Sequence, residues 1–160
     1  MSVMSSEMNS IEAVKHKAKY ATGSCSWLSL DDKPIEVWFD DKVEEDTLGL
    51  ALAQIWLLDE EEDKLAWERI NRLDDNASTI VPVLVCSDDM DFACSVIVVE
   101  QFVQNGVVEW VRAGQSLSTE LQVGSTVQWY PQDNSPLASF KLDEFKQALI
   151  KFKELMKNNS

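Results

Sequence analysis

Residues 94–112 read CSVIVVEQFVQNGVVEWVR, and this stretch decides the fold class. Asn105 and Gly106 separate two runs that are rich in β-branched residues. Asn-Gly between such runs predicts a two-residue β-hairpin, because both central residues of a type I′ turn need a positive φ. An antiparallel sheet is therefore expected at the centre of the fold. The predicted register places Val108 opposite Val103, Trp110 opposite Gln101, and Arg112 opposite Val99.

Further β-like runs flank this hairpin on both sides. Residues 80–86 (IVPVLVC) are β-branched, and Pro82 within them indicates a strand that begins late or lies at a sheet edge. Residues 24–30 (SCSWLSL) and 35–39 (IEVWF) predict two strands connected by the turn-forming DDKP. Residues 126–130 predict a last short strand. The sheet is thus expected to have several antiparallel strands.

Helical spacing of apolar residues occurs in three places. Residues 10–20 predict a short helix with Ser10 as its N-cap, and residues 46–58 predict a second one. The helical pattern resumes after the acidic block 59–63, so a helix–loop–helix and one continuous helix both fit. Residues 142–156 predict a C-terminal amphipathic helix. Its apolar stripe consists of Leu142, Phe145, Leu149, Phe152 and Met156.

These elements predict an α+β fold in which helices, including the C-terminal amphipathic helix, pack on an antiparallel sheet. Residues 1–10 are polar and predict a flexible N-terminus, followed by a single domain over residues 11–157. A chain of 160 residues with 45% apolar residues and six tryptophans can bury a substantial core.

The compartment is predicted from three absences in the sequence. The first ten residues lack the basic start and apolar run of a signal peptide. The longest apolar stretches, such as 48–58, are too short to span a bilayer. The three cysteines form no CxxC pair, which is typical of a reducing environment. We therefore expect a cytoplasmic protein with no membrane partner.

Acidic residues are concentrated in one window of the chain. Residues 31–109 hold 21 of the 28 acidic residues but five of the 14 basic ones, so this window carries a charge of −16 in a chain of net charge −14. Such a charge repels nucleic acid and attracts a basic protein surface. A basic protein partner is therefore expected, and a nucleic-acid partner is not.

Catalytic and metal-binding patterns are sparse. His16 is the single histidine and stands between two lysines, which indicates a solvated basic face. The cysteines and His16 lack zinc-finger spacing, and the scattered glycines form no phosphate-binding loop. Asp88, Asp89 and Asp91 resemble a calcium loop in composition alone, so a solvated turn is the favoured interpretation. We predict no enzyme activity, no catalytic residue, no metal and no cofactor.

The candidate site is instead a partner-binding surface. The acidic clusters fall in predicted turns and helix ends, where folding could gather them into one patch, although charge runs commonly just solvate a face. Trp67 stands among charged residues and is either an interface residue or packed under the sheet. The predicted partner-binding residues are Asp59, Glu60, Glu61, Glu62, Asp63, Trp67, Asp88, Asp89 and Asp91.

Residues 80–100, residues 108–114 (VEWVRAG) and residues 140–152 (FKLDEFKQALIKF) form a pattern of strand, acidic turn, strand, Trp hairpin and helix. In this pattern, mainly over residues 80–155, the chain resembles the immunity proteins of bacterial polymorphic toxin systems. The resemblance implies a cytoplasmic α+β protein that neutralises a cognate toxin by covering its active surface. Such toxins are often nucleases, whose basic clefts would suit an acidic inhibitor. The resemblance supplies no contact residues.

Two other functions remain open at the level of the sequence. One is an acidic secretion chaperone or adaptor, which would hold an effector segment on apolar surface. The other is a hydrolase with a carboxylate-based site, for which Asp88 and Asp89 would be the residues to test.

Overall fold

The computed structural model describes residues 8–16, 25–43, 50–54, 59–86, 96–132 and 135–158. The strands and helices alternate irregularly along these residues. In chain order the elements are β1 (Ile11–His16), β2 (Cys25–Leu30), β3 (Lys33–Pro34), α1 (Ile35–Val43), β4 (Leu50–Leu52), α2 (Glu60–Ile70), β5 (Ser78–Cys86), β6 (Val96–Gln104), β7 (Val107–Ser116), a 3-10 turn (Glu120–Gln122), β8 (Val127–Trp129), β9 (Ala138–Lys141) and α3 (Leu142–Asn158).

The strands of the described residues form two antiparallel sheets. The smaller sheet has the order β1-β2-β3. The larger one has the order β4-β5-β6-β7-β8, and β9 pairs with β7 as its sixth strand. Helix α3 contacts β1 and β2 of the small sheet and β7 and β9 of the large one, so it joins the two sheets. The predicted α+β fold with a C-terminal helix is confirmed.

The Asn105–Gly106 hairpin connects β6 to β7 as predicted. Both residues have a positive φ, 54° and 76°, as a type I′ turn requires. Val108 pairs with Val103 and Trp110 with Gln101, which confirms two predicted pairs. The third pair is wrong, because the register shifts by one residue and Val99 pairs with Ala113. This bulge leaves Val111 and Arg112 of β7 opposite Glu100.

Pro82 lies inside β5. The strand begins at Ser78 and not after the proline, so the predicted late start is wrong. β4 pairs with β5 over residues 84–86, and the register with β6 shifts between Pro82 and Leu84. A bulge therefore accommodates the proline, which cannot donate a ladder hydrogen bond.

Residues 10–20 were predicted as a helix, and the described part of them is the strand β1. Ile11 and Ala13 are buried on either side of the exposed Glu12, which is the period-two pattern of a strand. β2 supplies a complete antiparallel partner, from Ile11 opposite Leu30 to His16 opposite Cys25. The hydrogen bonds between β1 and β2 therefore stabilise the strand more than the weak helix propensity of this segment stabilises a helix. Tertiary contacts often override helix propensity in short segments.

Residues 35–39 were predicted as a strand, and they begin the helix α1. Ile35, Glu36, Trp38 and Phe39 are all buried. Positions i, i+1, i+3 and i+4 share one face of a helix, so this spacing buries the aromatic residues together where a strand would split them. The indole Nε1 of Trp27 donates a hydrogen bond to the buried Glu36 carboxylate at 2.8 Å. Tertiary packing here overrides the β propensity of the segment.

The predicted helix over residues 46–58 is wrong in its described part. Leu50–Leu52 form β4, which pairs with residues 84–86 of β5. A short apolar run fits a buried strand as well as a helix, and the neighbouring strand decides between them. Leu48, Ile55 and Trp56, which the prediction placed on the helix face, lie outside the described residues.

An aromatic cluster forms the centre of the core between the helices and the large sheet. The Trp110 ring centroid lies 5.1 Å from that of Phe140, 6.0 Å from that of Phe39 and 6.2 Å from that of Phe145. Offset and edge-on aromatic pairs stabilise a core beyond their buried area. The predicted stripe of α3 is confirmed in that Phe145, Leu149 and Phe152 are buried, with Leu142 and Met156 half-buried at its ends.

The start of the described chain is tied to both sheets. The backbone N–H of Asn9 donates to Ser139 O at 2.7 Å, and Ser139 N donates to Asn9 Oδ1 at 2.9 Å. Ser10 N donates to Asp31 Oδ1 at 2.9 Å. Asn9 thereby connects the entry of β1 to β9, although the sequence places it in a flexible terminus. Residues 1–7 lie outside the described residues.

Candidate protein-binding surface

The acidic block 59–63 begins helix α2 and does not interrupt it. Asp59 is the N-cap, and its Oδ1 accepts hydrogen bonds from Glu61 N at 2.9 Å and Glu62 N at 3.1 Å. Carboxylates in the first turn of a helix are stabilised by the unsatisfied N–H groups and the positive end of the helix dipole. Five successive acidic residues are therefore compatible with a helix when they stand at its N-terminus.

The side chains of this block do not all reach solvent. Asp59, Glu60 and Glu61 are exposed, whereas Asp63 is half-buried. Glu62 is 5% exposed and faces the core side of the helix. Of the predicted cluster, Glu60 and Glu61 are thus the exposed carboxylates that the N-cap hydrogen bonds do not engage.

Beyond its first turn, the exposed face of α2 has mixed charge. Lys64, Glu68 and Arg72 follow Glu60 at successive steps of four residues, and all four are exposed. Opposite charges at i,i+4 stabilise a helix. They also partly cancel each other, so the negative electrostatic field of this face is weaker. The uniformly acidic part of this helix is therefore confined to its N-terminal end.

Hydrogen bonds fix the direction of α2 along β5. Gln54 Nε2 donates to Pro82 O at 2.8 Å and to Ala66 O at 3.5 Å, while Arg69 Nη1 donates to Ile80 O at 3.1 Å. Because the contacts on β5 move towards lower numbers as α2 proceeds, the two elements run antiparallel. The acidic first turn consequently points to the end of the sheet where β5 ends and β6 begins. The predicted residues Asp88, Asp89 and Asp91 belong to residues 87–95, outside the described residues.

Trp67 packs between α2 and α3. Its ring centroid lies 5.7 Å from that of Phe152, and Lys153 Nζ lies 4.6 Å from the Trp67 ring centroid. The side chain is half-buried. The packing interpretation of Trp67 therefore has a definite contact, which is with Phe152 of the C-terminal helix.

The β7–β8 connection, residues 117–126, is a surface that the sequence analysis missed. It carries two exposed leucines, Leu117 at 59% and Leu121 at 45% exposure. Serine hydroxyls hold it: Ser116 Oγ accepts from Gly124 N at 3.0 Å, and Ser118 Oγ donates to Gln122 O at 2.7 Å. Such local side-chain bonds to the backbone fix an irregular loop. The turn-forming residues between two strands were the signal that could have indicated an ordered loop.

Arg69 anchors this loop to α2. Its Nη1 donates to Val123 O at 2.7 Å as well as to Ile80 O, so one guanidinium joins helix, sheet and loop. Burial, and secondly the charge of Arg72, lower the pKa of Arg69 from its usual value. Gly124 has a φ of 87°, and a Cβ there would lie 2.8 Å from Ile80 Cγ2 and 3.1 Å from Arg69 Nη1. This leucine loop, residues 117–126, is thus closely packed against Arg69 and Ile80.

Three further observations concern membranes, metal ions and similarity to known proteins. None of the helices in the described ranges is long and apolar enough to cross a membrane. Among the described residues, no three His, Cys, Asp or Glu side chains are grouped so that they could hold a metal ion. In comparisons with known proteins, no family model, no curated protein and no solved structure matches this chain.

Proposed function

We propose that this protein is a non-enzymatic inhibitor that binds a basic protein partner, acting as an immunity protein that neutralises a bacterial toxin. The observation that carries the proposal is the exposed pair Glu60 and Glu61, held on a capped helix turn at one end of the large sheet. A helix turn fixes charged groups in position, so less conformational entropy is lost on binding than with a loose acidic loop.

The net charge supports a basic partner. At −14, the chain produces a negative field that accelerates encounter with a positively charged surface and opposes encounter with acidic ones. Exposed charges at the edge of a protein–protein interface affect mainly the association rate and the salt dependence of that rate. A toxin whose active cleft binds an anionic substrate would present the positive surface that this field attracts.

Apolar contact would come from the leucine loop. β7 ends at Ser116 at the same end of the sheet as Cys86 and Val96, because Ile97 pairs with Gln115 and Val85 pairs with Val96. The loop begins at this end and its Val123 O accepts a hydrogen bond from Arg69 in the last turn of α2, so the segment that carries the exposed leucines packs against the same helix. Burying one leucine side chain contributes roughly 1.5–3 kcal/mol, whereas an exposed ion pair contributes less. Charge would then steer the partner and the leucines would hold it.

The test begins with the partner that copurifies from the source cell at low salt, with the product of the gene adjacent to that of this chain as the first candidate. Association with the purified partner is measured for the wild type and for E60Q/E61Q. We expect the double variant to slow association about tenfold at low salt and to flatten its salt dependence. Glu62 is retained because it is buried and its substitution would disturb the helix.

The matched control is E144Q/E154Q, which removes the same charge from exposed positions of α3. This variant should associate nearly as fast as the wild type. Equal slowing by both variants would mean that net charge alone acts, and an acidic or neutral partner would contradict the proposal. An inhibitor also protects in a one-to-one ratio, so protection of cells or substrate at a small fraction of the toxin concentration would indicate an enzyme instead.

A further inference from the structure

A second charged feature lies on the large sheet, away from the acidic end of α2. Arg112 of β7 extends across the neighbouring strands. Its guanidinium carbon lies 3.9 Å from the ring centroid of Trp129 on β8, and its Nε donates to Glu100 Oε1 on β6 at 2.7 Å. Three adjacent strands thus hold one guanidinium in place, which is the arrangement of a positioned side chain on a rigid scaffold.

The guanidinium of Arg112 has N–H groups that can donate hydrogen bonds to a ligand. Its hydrogen bonding to the described residues is limited to the Nε–Glu100 contact, so the Nη1 and Nη2 groups remain available, and the Arg112 side chain is 45% exposed. These two nitrogens form the planar fork that binds a carboxylate through two parallel hydrogen bonds. Because the ring of Trp129 and the carboxylate of Glu100 already orient the fork, a ligand would not have to order it.

A surface groove beside Arg112 provides space in which a ligand can bind. Its lining combines the apolar Val111, Trp129 and Pro136 with the polar Gln132 and Ser135, so apolar side chains lie beside the charged group. The nearby backbone donors are already engaged: Tyr130 N donates to Ala113 O at 2.9 Å and Leu137 N to Val111 O at 3.3 Å. Capture of a chain-terminal carboxylate uses a nest of backbone N–H groups, which these engaged donors do not form. A side-chain carboxylate needs the guanidinium fork alone.

We propose that Arg112 and Trp129, with the groove beside them, bind an aspartate or glutamate side chain of a partner polypeptide that carries apolar residues next to it. The site is distinct from the acidic surface, since it takes the opposite charge from the partner. Arg and Trp are also the residue types enriched among interface residues that dominate binding energy. Glu100 limits the positive potential, so the site selects a single carboxylate in an apolar context over a highly acidic surface.

The experiment is an NMR titration of the isotope-labelled full chain with three short peptides. The first is acetyl-ALELA-amide, the second is its glutamine counterpart acetyl-ALQLA-amide, and the third is acetyl-ALQLA with a free C-terminal carboxylate. We expect the first peptide alone to shift the Trp129 indole N–H and the amides around Arg112 and Gln132, with a dissociation constant on the order of 1 mM.

Three variants test the chemistry. R112Q should abolish the shifts, and R112K should weaken binding about fivefold, because lysine keeps the charge but lacks the planar fork. E100Q should tighten binding about twofold by removing the competing carboxylate. A gain of binding cannot come from misfolding. K153Q is the matched control, since Lys153 lies over Trp67 in a second cation–π pair and its loss should leave the titration unchanged.

Several results would overturn the proposal. Equal shifts with the glutamine peptide would show that the apolar residues bind without the carboxylate. Shifts with the free-acid peptide alone would assign the site to chain ends. Wild-type affinity in R112K, or shifts centred on the lysines of α3, would show attraction to charge without the arginine fork. No saturable shift with any peptide would leave Arg112 as a contact internal to the sheet.

Discussion

Gly124 is the position at which the anchoring of the leucine loop can be measured directly. The substitution G124A is expected to destabilise the folded protein for two separate reasons. The φ of 87° is unfavourable for any residue with a Cβ, and the new methyl group would lie 2.8 Å from Ile80 Cγ2 and 3.1 Å from Arg69 Nη1. Gly106 offers the matched control, because its φ is 76° and a Cβ there would meet no atom within 4 Å. G106A therefore carries the backbone cost without the steric one.

The two magnitudes differ enough to measure. The backbone cost is about 1–2 kcal/mol, reduced by the lower entropy of the unfolded alanine chain, which leaves about 1 kcal/mol for G106A. For G124A, displacing Ile80 and the Arg69 guanidinium adds overpacking of about 1–3 kcal/mol, for a total of about 3 kcal/mol. With roughly 2–4 °C per kcal/mol for a domain of this size, the melting temperature should fall about 2–4 °C in G106A and about 6–12 °C in G124A.

Thermal unfolding followed by circular dichroism, with guanidinium unfolding as a second measure, gives both differences. The reasoning requires G124A to lose clearly more stability than G106A. If both alanine variants lose the same amount, Ile80 and Arg69 do not confine Gly124, and the loop is not anchored as its contacts imply. A G124A protein that keeps its stability altogether would also refute the backbone part of the argument.

Two further substitutions test the contacts that position the helices. D59A removes the N-cap acceptor of α2 and should lower the free energy of unfolding by about 1 kcal/mol, measured by urea unfolding. T119A is its control, since Thr119 precedes the 3-10 turn without a side-chain cap hydrogen bond, and an equal loss in both would contradict a capping role for Asp59. Q101L removes the acceptor of Trp110 Nε1 at 3.0 Å and the donor to Ile70 O at 3.1 Å, so it should cost about 2–4 kcal/mol in the same assay. A loss below about 1 kcal/mol would mean that these buried groups find other partners.

The sequence predicted correctly those elements whose conformation depends on residues close together in the chain. The turn at Asn105 and Gly106 follows from the φ that its two residues tolerate, and α3 follows from an apolar stripe that a helix alone can bury on one face. The short strand β8 (Val127–Trp129) also lies where residues 126–130 predicted it, although β9 (Ala138–Lys141), which was not predicted, follows it as the last strand. In these places, residues close in the chain decide the structure without help from distant ones.

Distant partners decided the segments that were predicted wrongly. Residues 11–16 form a strand because β2 pairs with all of them, and Leu50–Leu52 form a strand because β5 offers an edge. Ile35–Val43 form a helix because that conformation buries Trp38 and Phe39 together in the core. Each of these outcomes depends on long-range contacts, which compete with local propensities of similar size and cannot be read from a single short window.

The sequence by itself determined the acidity of the chain and the α+β class, because these depend on composition and local periodicity. Tertiary structure decided which carboxylates reach solvent: Glu60 and Glu61 are exposed and Glu62 is buried, although the three are consecutive. It also placed Arg112 against Trp129 and Glu100, since a one-residue bulge moved it from its predicted place opposite Val99. A surface is made by residues far apart in the chain, so its composition can be counted from the sequence while its arrangement requires the fold.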